Sequence, residues 1–382
     1  MEWRSDMGAS NVKWVRLGDY IEQFRHKCAN NDAIVSGVDI NKQFIPTRAN
    51  LEGIDISGYY LVPPTFFACN LMHIGRDERL PIAYNNTSTN LVVTSAYYVF
   101  HVKKDKSDEI LSEYLYIIFC NKEIDRLTWF YTDSSIRGNL RENRFLDIEI
   151  PLPSPDEQQK VVNAWRAFRE IKEQNEAKAA PLMQVCQSYI QELKHKYPLQ
   201  EIGSYIEEYD ERNSDGIYRL DDVRGISIEK KIIDTKANMD GVKLTPYKIF
   251  KTNTFCYVTI TSRNGEKITL ALNSNNNNHI VSSSYITFDV IDKEKILPEF
   301  LYLWFCRPEF DRYARFNSWG SAREAFSFAD MKRCKIPLPP IDVQRAIVNI
   351  YKCANEAKQI AEDADKLSRE VCPALIQHVI HS

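Results

Sequence analysis

The sequence predicts an α+β fold, with two tandem, similar mixed α/β units separated by two long antiparallel coiled-coil helices. The first observation is a proline-rich segment, residues 150–162, which returns near the other end of the chain as residues 336–348. The second is a helical pattern of roughly 40 residues after each copy. The third is a strand-rich stretch of domain size before each copy. Together they indicate duplication of one ancestral unit.

Each proline-rich copy predicts a strand end, a rigid corner and the start of a helix. Both copies share the pattern P-L-P-x-x-x-x-Q, beginning at Pro151 and at Pro337. The prolines hold the backbone extended and disfavour helix at the residue before them. Asp156 and Asp342 then stand where a helix N-cap is expected.

The similarity continues upstream of the corners. Residues 66–69 align loosely with residues 253–256, and the strand-rich residues 90–102 correspond to residues 280–290. Alternating apolar and β-branched residues in these stretches predict a partly buried sheet. Two polar loops follow. Arg137 and Arg323 occupy the same register in them, with the same offset that relates the two proline corners.

The two helical patterns differ in the distribution of their apolar residues. The second predicts a coiled-coil seam of apolar and small residues: Ile347, Ile350, Ala354, Ala357, Ala361, Ala364, Val371 and Leu375. After a polar interval, the apolar face of the first continues with Leu182, Val185, Tyr189 and Leu193. Pro181 predicts a kink or break in that helix.

We expect the two helices to pair antiparallel and to hold two globular units apart. The predicted bounds are residues 1–155 for the first unit, 156–196 for the central helix, 197–340 for the second unit and 341–382 for the C-terminal helix.

Composition excludes several classes of function. The chain has no apolar run of membrane-spanning length and no signal pattern, so we expect a cytoplasmic protein. Nine scattered cysteines without a C-x-x-C pair predict reduced, structural thiols. The glycine-rich phosphate-binding and dinucleotide-binding loops are absent, which argues against an ATPase of the P-loop class and against methyltransferase activity on this chain. A net charge of −3 means that any nucleic-acid surface must be a local patch.

The duplicated plan resembles the specificity subunit of type I restriction–modification systems. The resemblance covers nearly the whole chain. Its most specific part is the segment from Arg323 through the P-L-P-P corner to Gln344, with a weaker echo from Arg137 to Gln158.

The resemblance implies a function and a set of partners. Each globular unit would be a target recognition domain that reads one half of a bipartite sequence in double-stranded DNA. The helices would set the spacing and dock two methyltransferase subunits, while restriction subunits carry the cleavage activity. The specificity subunit itself would be non-catalytic and would use no cofactor and no metal.

DNA contacts need Arg or Lys for phosphates and Arg, Asn, Gln or Lys for base edges. The predicted DNA-binding residues are Arg76, Arg79, Asn85, Asn86, Arg137, Asn139, Arg141, Arg263, Asn264, Lys267, Asn317, Ser321 and Arg323. Two alternatives stay open at this point. Asn85 and Asn86 also fit a plain turn, and Arg137 and Arg323 also fit a salt bridge to a long helix.

A second class of function is compatible with the same sequence. The chain could serve as a specificity-like scaffold of another defence assembly, binding protein rather than reading DNA. Enrichment of a split motif from random duplexes, with the methyltransferase partner present, separates the two hypotheses.

Overall fold

The computed structural model describes residues 12–28, 34–47, 50, 52, 54–72, 74–133, 138–260, 267–320 and 323–381. The chain divides into two units. Unit 1 consists of Met1–Asn175 with Gln359–Ser382, and unit 2 is Glu176–Lys358. Each long helix therefore contributes one part to each unit.

Unit 1 combines three sheets with short helices. Its strands are β1 (Lys13–Arg16), β2 (Ile21–Gln23), β3 (Ile34–Val38), β4 (Phe44–Pro46), β5 (Tyr60–Val62), β6 (Phe67–Cys69), β7 (Ile82–Tyr84), β8 (Leu91–Val93), β9 (Tyr98–Val102) and β10 (Glu149–Leu152). Its helices are α1 (Leu17–Tyr20), α2 (Ile74–Asp77), α3 (Ser112–Phe119), α4 (Lys122–Phe130) and α5 (Glu142–Leu146), with a 3-10 turn at Lys104–Lys106. The strand orders are β1-β10, β2-β9-β6-β7 and β4-β3-β8-β5, antiparallel except for the β3–β8 pair.

The first long helix, α6, spans Pro155–Lys196. The strands that follow it are β11 (Leu199–Glu201), β12 (Ile206–Tyr209), β13 (Arg224–Ile226), β14 (Ile232–Asp234), β15 (Lys248–Phe250), β16 (Phe255–Val258), β17 (Leu270–Leu272), β18 (His279–Val281), β19 (Tyr285–Val290), β20 (Ser318–Trp319), β21 (Ala325–Phe326) and β22 (Lys335–Pro337). The helices are α7 (Pro298–Phe305), α8 (Pro308–Phe316), α9 (Phe328–Lys332) and the second long helix α10 (Ile341–His381), with 3-10 turns at Ile202–Ser204 and Leu220–Asp222.

Unit 2 repeats the sheets of unit 1. The order β12-β19-β16-β17 matches β2-β9-β6-β7, and β11-β22 matches β1-β10. The pairs β13-β14 and β15-β18 are joined by a parallel bridge between Val223 and Ile280, and so they match β4-β3-β8-β5. The prediction of two similar α/β units is thus confirmed.

Stacked phenylalanines mark the equivalent strands in the two cores. Phe67 stacks on Phe100 with ring centroids 4.8 Å apart, and Phe255 stacks on Phe288 at 4.8 Å. Phe67 thus corresponds to Phe255 rather than to Thr254, which corrects the looser alignment of residues 66–69 with residues 253–256. Sequence identity was too sparse in this region to place the register.

A buried glutamine locks the first proline corner. The side chain of Gln158 is fully buried. Its Oε1 accepts a hydrogen bond from the backbone N–H of Leu111 at 2.9 Å. Its Nε2 donates to the carbonyls of Glu109 at 2.8 Å and Pro153 at 2.9 Å. One amide therefore ties the start of α6 to the corner and to the segment leading into α3.

Gln344 makes the same three bonds in unit 2. Its Oε1 accepts from the N–H of Leu297 at 3.0 Å, and its Nε2 donates to the carbonyls of Lys295 at 2.7 Å and Pro339 at 2.9 Å. The glutamine of the shared P-L-P-x-x-x-x-Q pattern thus joins α10 to its unit.

A buried lysine–aspartate pair is also repeated. In unit 1, Lys42 Nζ lies 2.6 Å from Asp125 Oδ1 and donates to the carbonyl of Leu80 at 2.9 Å. In unit 2, Lys230 Nζ lies 2.5 Å from Asp311 Oδ1. Both lysines have positive φ, 64° and 60°. The pair holds a β-hairpin turn against α4 or α8, because each aspartate lies on the buried face of that helix.

The long helices pair antiparallel within unit 1. Lys172 of α6 lies 2.8 Å from Asp365 of α10. Trp165, nearer the start of α6, shares a core with Cys372 and Ile376, nearer the end of α10. In unit 2, Cys186 of α6 packs in one core with α10 residues that include Ile347.

Two details of the helices differ from expectation. Pro181 does not break α6; it is exposed, as is Ala177, so water can satisfy the carbonyl that a proline leaves unpaired. Neither Asp156 nor Asp342 is the cap, since both lie inside the first turn. Ser154 precedes α6, and its Oγ accepts from the N–H of Glu157 at 3.4 Å.

The buried stripes also shift by one residue. In α6 the buried residues after Pro181 are Cys186, Ile190 and Leu193, whereas Val185 and Tyr189 are exposed. In α10 the seam follows prediction at Ile347, Ala354, Ala357, Ala361 and Ala364, and then continues at Cys372, Ile376 and Ile380 rather than at Val371 and Leu375. Cys372, Ile376 and Ile380 are four residues apart, which is more than one helical turn. Successive steps of four therefore shift the buried stripe around the helix, as an inserted stutter does in a coiled coil.

None of the helices in the part of the chain that the structure describes combines the length and apolar character needed to cross a bilayer.

Replacing Gln344 by alanine should lower the free energy of unfolding by about 1–3 kcal/mol, because it strands the buried N–H of Leu297 and two carbonyls. Denaturant unfolding followed by tryptophan fluorescence measures the change. Gln174→Ala is the control, since Gln174 is exposed and bonds only Glu170 of its own helix. Equal effects of the two variants would contradict the assigned function of Gln344.

Candidate nucleic-acid interface

The clearest candidate surface in unit 2 is the β20–β21 hairpin. Its two strands pair Ser318 with Phe326 and Trp319 with Ala325. At the turn, Gly320 has φ 137°, and a Cβ there would lie 2.4 Å from the carbonyl oxygen of Arg323. Only glycine therefore fits this turn.

The base of the hairpin is fixed, while its tip is exposed. Phe326 is fully buried, and its N–H donates to the carbonyl of Thr259 at 2.8 Å. Tyr257 donates its hydroxyl to the carbonyl of Phe326 at 3.3 Å. Trp319 is 68% exposed. A rigid base under an exposed tip suits contact with a large partner.

Arg323 lies at this tip with an exposed side chain. Among the residues that the structure describes, its guanidinium forms no ion pair, whereas the neighbouring Arg315 pairs with Glu324. The salt bridge to a long helix, which the sequence left open, is therefore not seen in the described part of the chain. The Arg323 side chain is therefore accessible to a ligand.

The matching loop of unit 1 is described in part. Arg137 lies outside the described residues. Gly138 has φ 59°, and its backbone lies against Gly75, whose N–H donates to the Gly138 carbonyl at 3.1 Å. Asn139 is half-buried, and its backbone exchanges hydrogen bonds with Asp133, including Asn139 N–H to Asp133 Oδ1 at 3.0 Å. The backbone of Asn139 is thus tied to Asp133.

Other basic candidates of unit 1 are spread over the unit. Arg76 belongs to α2, and its side chain lies outside the described part. Arg79 is exposed and lines a surface cleft of about 720 Å³ together with Arg126 and Trp129. Arg141 is exposed at the start of α5.

The structure contradicts the prediction that Asn85 binds DNA. Asn85 is fully buried, its Nδ2 donates to the carbonyls of Val62 and Thr89 at 2.9 Å each, and its Oδ1 accepts from Thr87. The side chain holds a loop and cannot reach DNA. Asn86 is exposed, and with its amide oriented to accept, it bonds the guanidinium of Arg169 on α6 at 3.1 Å.

Asn273 repeats the bonds of Asn85 in unit 2. Its Nδ2 donates to the carbonyls of Phe250 at 3.1 Å and Asn277 at 3.0 Å, and its Oδ1 accepts from the N–H of Asn275. The offset that relates Phe67 to Phe255 also relates Asn85 to Asn273. The identity of the two asparagines at that offset was the signal that could have identified this structural use.

The remaining candidates of unit 2 have mixed positions. Arg263, Asn264 and Ser321 lie outside the described residues. Lys267 is exposed, with Nζ 3.3 Å from Glu229 Oε1. Asn317 is half-buried and donates to the carbonyl of Tyr313 at 2.8 Å, which closes the end of α8.

The histidine, cysteine and carboxylate side chains were compared with the requirements of a metal site and of a reactive thiol. Within the described ranges, no group of three or more His, Cys, Asp or Glu side chains is arranged to hold a metal ion. The nine cysteines are free, and burial raises the pKa of the Cys334 thiol to about 12. Buried thiols with raised pKa values are poor nucleophiles.

Comparison with known proteins identifies relatives of the chain. The family model described as "Type I restriction modification DNA specificity domain" matches residues 77–180 and 201–358, more than half of the chain. The Type I restriction enzyme MjaIX specificity subunit of Methanocaldococcus jannaschii is 31% identical over 103 residues, which are 26% of this chain and 23% of that protein. The match therefore spans about a quarter of that relative's length.

A solved structure shares the fold. The S subunit of a type I restriction–modification system from M. genitalium aligns with 99% of this chain and 98% of its own, with a TM-score of 0.63 and 11% sequence identity.

Substitutions of two candidate residues should have effects of different size in a stability assay. Asn85→Ala should lower the free energy of unfolding by about 1–3 kcal/mol, because it leaves buried backbone groups unpaired. Arg323→Ala should change it by less than about 0.5 kcal/mol, because the side chain is exposed. Denaturant titration of both variants measures the difference. A large loss with Arg323→Ala would show that this arginine supports the fold.

Proposed function

The chain belongs to the type I restriction–modification DNA specificity family, and from this premise we propose that it is the non-catalytic, sequence-specific DNA-recognition subunit of such an enzyme. Each unit reads one half of a bipartite target in double-stranded DNA. The long helices dock two methyltransferase subunits, and restriction subunits complete the assembly. Because the DNA target is in the cytoplasm, the complex works there.

One observation carries this proposal beyond family membership. The two units keep the same internal hydrogen bonds, such as those of Gln158 and Gln344. They differ in the residues that follow the arginine of each recognition loop. Arg323 is followed by Glu324 and Ala325, whereas Arg137 is followed by Gly138 and Asn139. Two units that share a fold but differ in their recognition loops suit a target with two different halves.

The chemistry of the unit 2 tip is suited to duplex DNA. An exposed arginine can donate two bonds to the O6 and N7 of guanine or bind a phosphate. Trp319, beside it on the same hairpin, offers a flat apolar surface for sugar or base contact. The fixed hairpin base supports both groups, so the backbone at the base is ordered before binding.

Arg323→Ala should relax reading of one half-site and leave the other unchanged. If Arg323 contacts a base edge, the loss for that half-site is about 1–3 kcal/mol. The measurement is selection from random duplexes by the complex assembled with its methyltransferase subunit, followed by affinity titration at fixed salt. Lys293→Ala is the control, because Lys293 is an exposed cation of the same unit already paired with Asp289 and is not among the predicted DNA-binding residues.

Two outcomes would overturn the proposal or its details. If the wild-type complex enriches no split motif, the chain does not read DNA in two halves, and the scaffold hypothesis gains. If Arg323→Ala weakens both half-sites equally, the arginine acts on assembly rather than on reading.

A further inference from the structure

One set of surface side chains is repeated in both units and is not used by the recognition loops. A glutamate, an arginine and a phenylalanine are spaced three and four residues apart on one short helix of each unit. We call this set the outer stripe: Glu123, Arg126 and Phe130 in α4, and Glu309, Arg312 and Phe316 in α8. The spacing places all three on one face of the helix.

The stripe exposes a large apolar side chain in both copies. Phe130 is 74% exposed and Phe316 is 81% exposed. Arg126 and Arg312 are exposed as well. Arg126 donates to Glu123 of its own stripe at 2.9 Å, whereas Glu309 accepts from Arg307, which lies outside the stripe, at 2.7 Å. One exposed phenylalanine is common on protein surfaces. Two at the same position of duplicated units, each one turn after an exposed arginine, form a repeated surface feature.

The buried lysine–aspartate pairs fix the direction of the stripe. Asp125 lies on the opposite, buried face of α4 and is bonded to Lys42. Asp311 lies on the buried face of α8 and is bonded to Lys230. Rotation of either helix about its axis would break a buried ion pair, which is costly. Each unit therefore presents its stripe in the same orientation relative to its own core.

Neighbouring positions on these helices have diverged. Trp129 corresponds to Arg315, and Tyr131 corresponds to Asn317. The shared stripe stands out against these differences. A surface that reads two different DNA half-sites must differ between the units. A surface that binds two copies of one partner must be the same in both.

We infer that, in addition to the contacts made by the long helices, the outer stripe docks one copy of the same partner protein on each unit, through an apolar pocket for the phenylalanine ring and an acidic group for the arginine. This rests on the proposed function, in which that partner is the methyltransferase subunit. An aromatic side chain beside an arginine is the usual composition of a protein–protein hot spot. A glutamate and an exposed ring gain little from phosphates, so protein is favoured over DNA as the occupant.

The test counts methyltransferase subunits bound to the full chain by native mass spectrometry, with affinities from titration. The wild-type chain should bind two copies. At a partner concentration that just saturates the wild-type chain, Phe130→Ala and Phe316→Ala should each weaken one site by about tenfold or more, so that one copy is retained, and the double variant should weaken both sites, so that neither copy is retained. Thermal unfolding should stay unchanged, because both rings are exposed.

Ile217→Ala is the matched control, since Ile217 is 72% exposed but lies outside the stripe. Two copies retained by the double variant would overturn the inference. So would retention of two copies with weaker DNA binding, which would assign the stripe to DNA. If the wild-type chain binds no methyltransferase subunit, the proposed function itself fails, and this result is distinguishable from failure of the stripe alone.

Discussion

The structure depends on one buried amide at the start of each long helix. Gln158 and Gln344 each satisfy one carbonyl of a proline corner, together with one N–H and one carbonyl of the segment that leads into α3 or α7. A buried amide with all partners in place is rigid, and losing any partner is costly. The direction in which a long helix leaves its unit is therefore set by this side chain. The rest of the unit can then change in sequence without changing that direction.

Much of the fold could be predicted from sequence because duplication doubles each signal. The proline corners, the strand-rich stretches and the two long helices are local patterns that occur twice. The finer register could not be predicted. Val185 and Tyr189 are apolar at helical spacing, yet Cys186 and Ile190 are the buried residues. Which face of a helix is buried depends on the surface it meets, and the sequence of the helix alone does not contain that surface.

The candidate interface was predictable to a lesser degree. Arginine in a polar loop at the same register in both units selected Arg323, whose side chain is exposed, and Arg137, which lies outside the described residues. Asparagine was a poor guide. Asn85 and Asn86 are neighbours of the same type, but one amide is buried in a loop and the other faces solvent and Arg169. Asparagine can replace a backbone partner or reach a ligand with the same atoms, so only its surroundings decide.

The division of the chain between its units has a consequence for biosynthesis. Unit 2 is one continuous segment, whereas the core of unit 1 includes Cys372, Ile376 and Ile380 from the end of α10. A ribosome delivers residues from the N-terminus onward. The unit that is translated first is thus completed last, and its apolar surface waits uncovered while the whole second unit is made. Nascent chains of this protein should therefore depend on a chaperone until Cys372, Ile376 and Ile380 have left the ribosome.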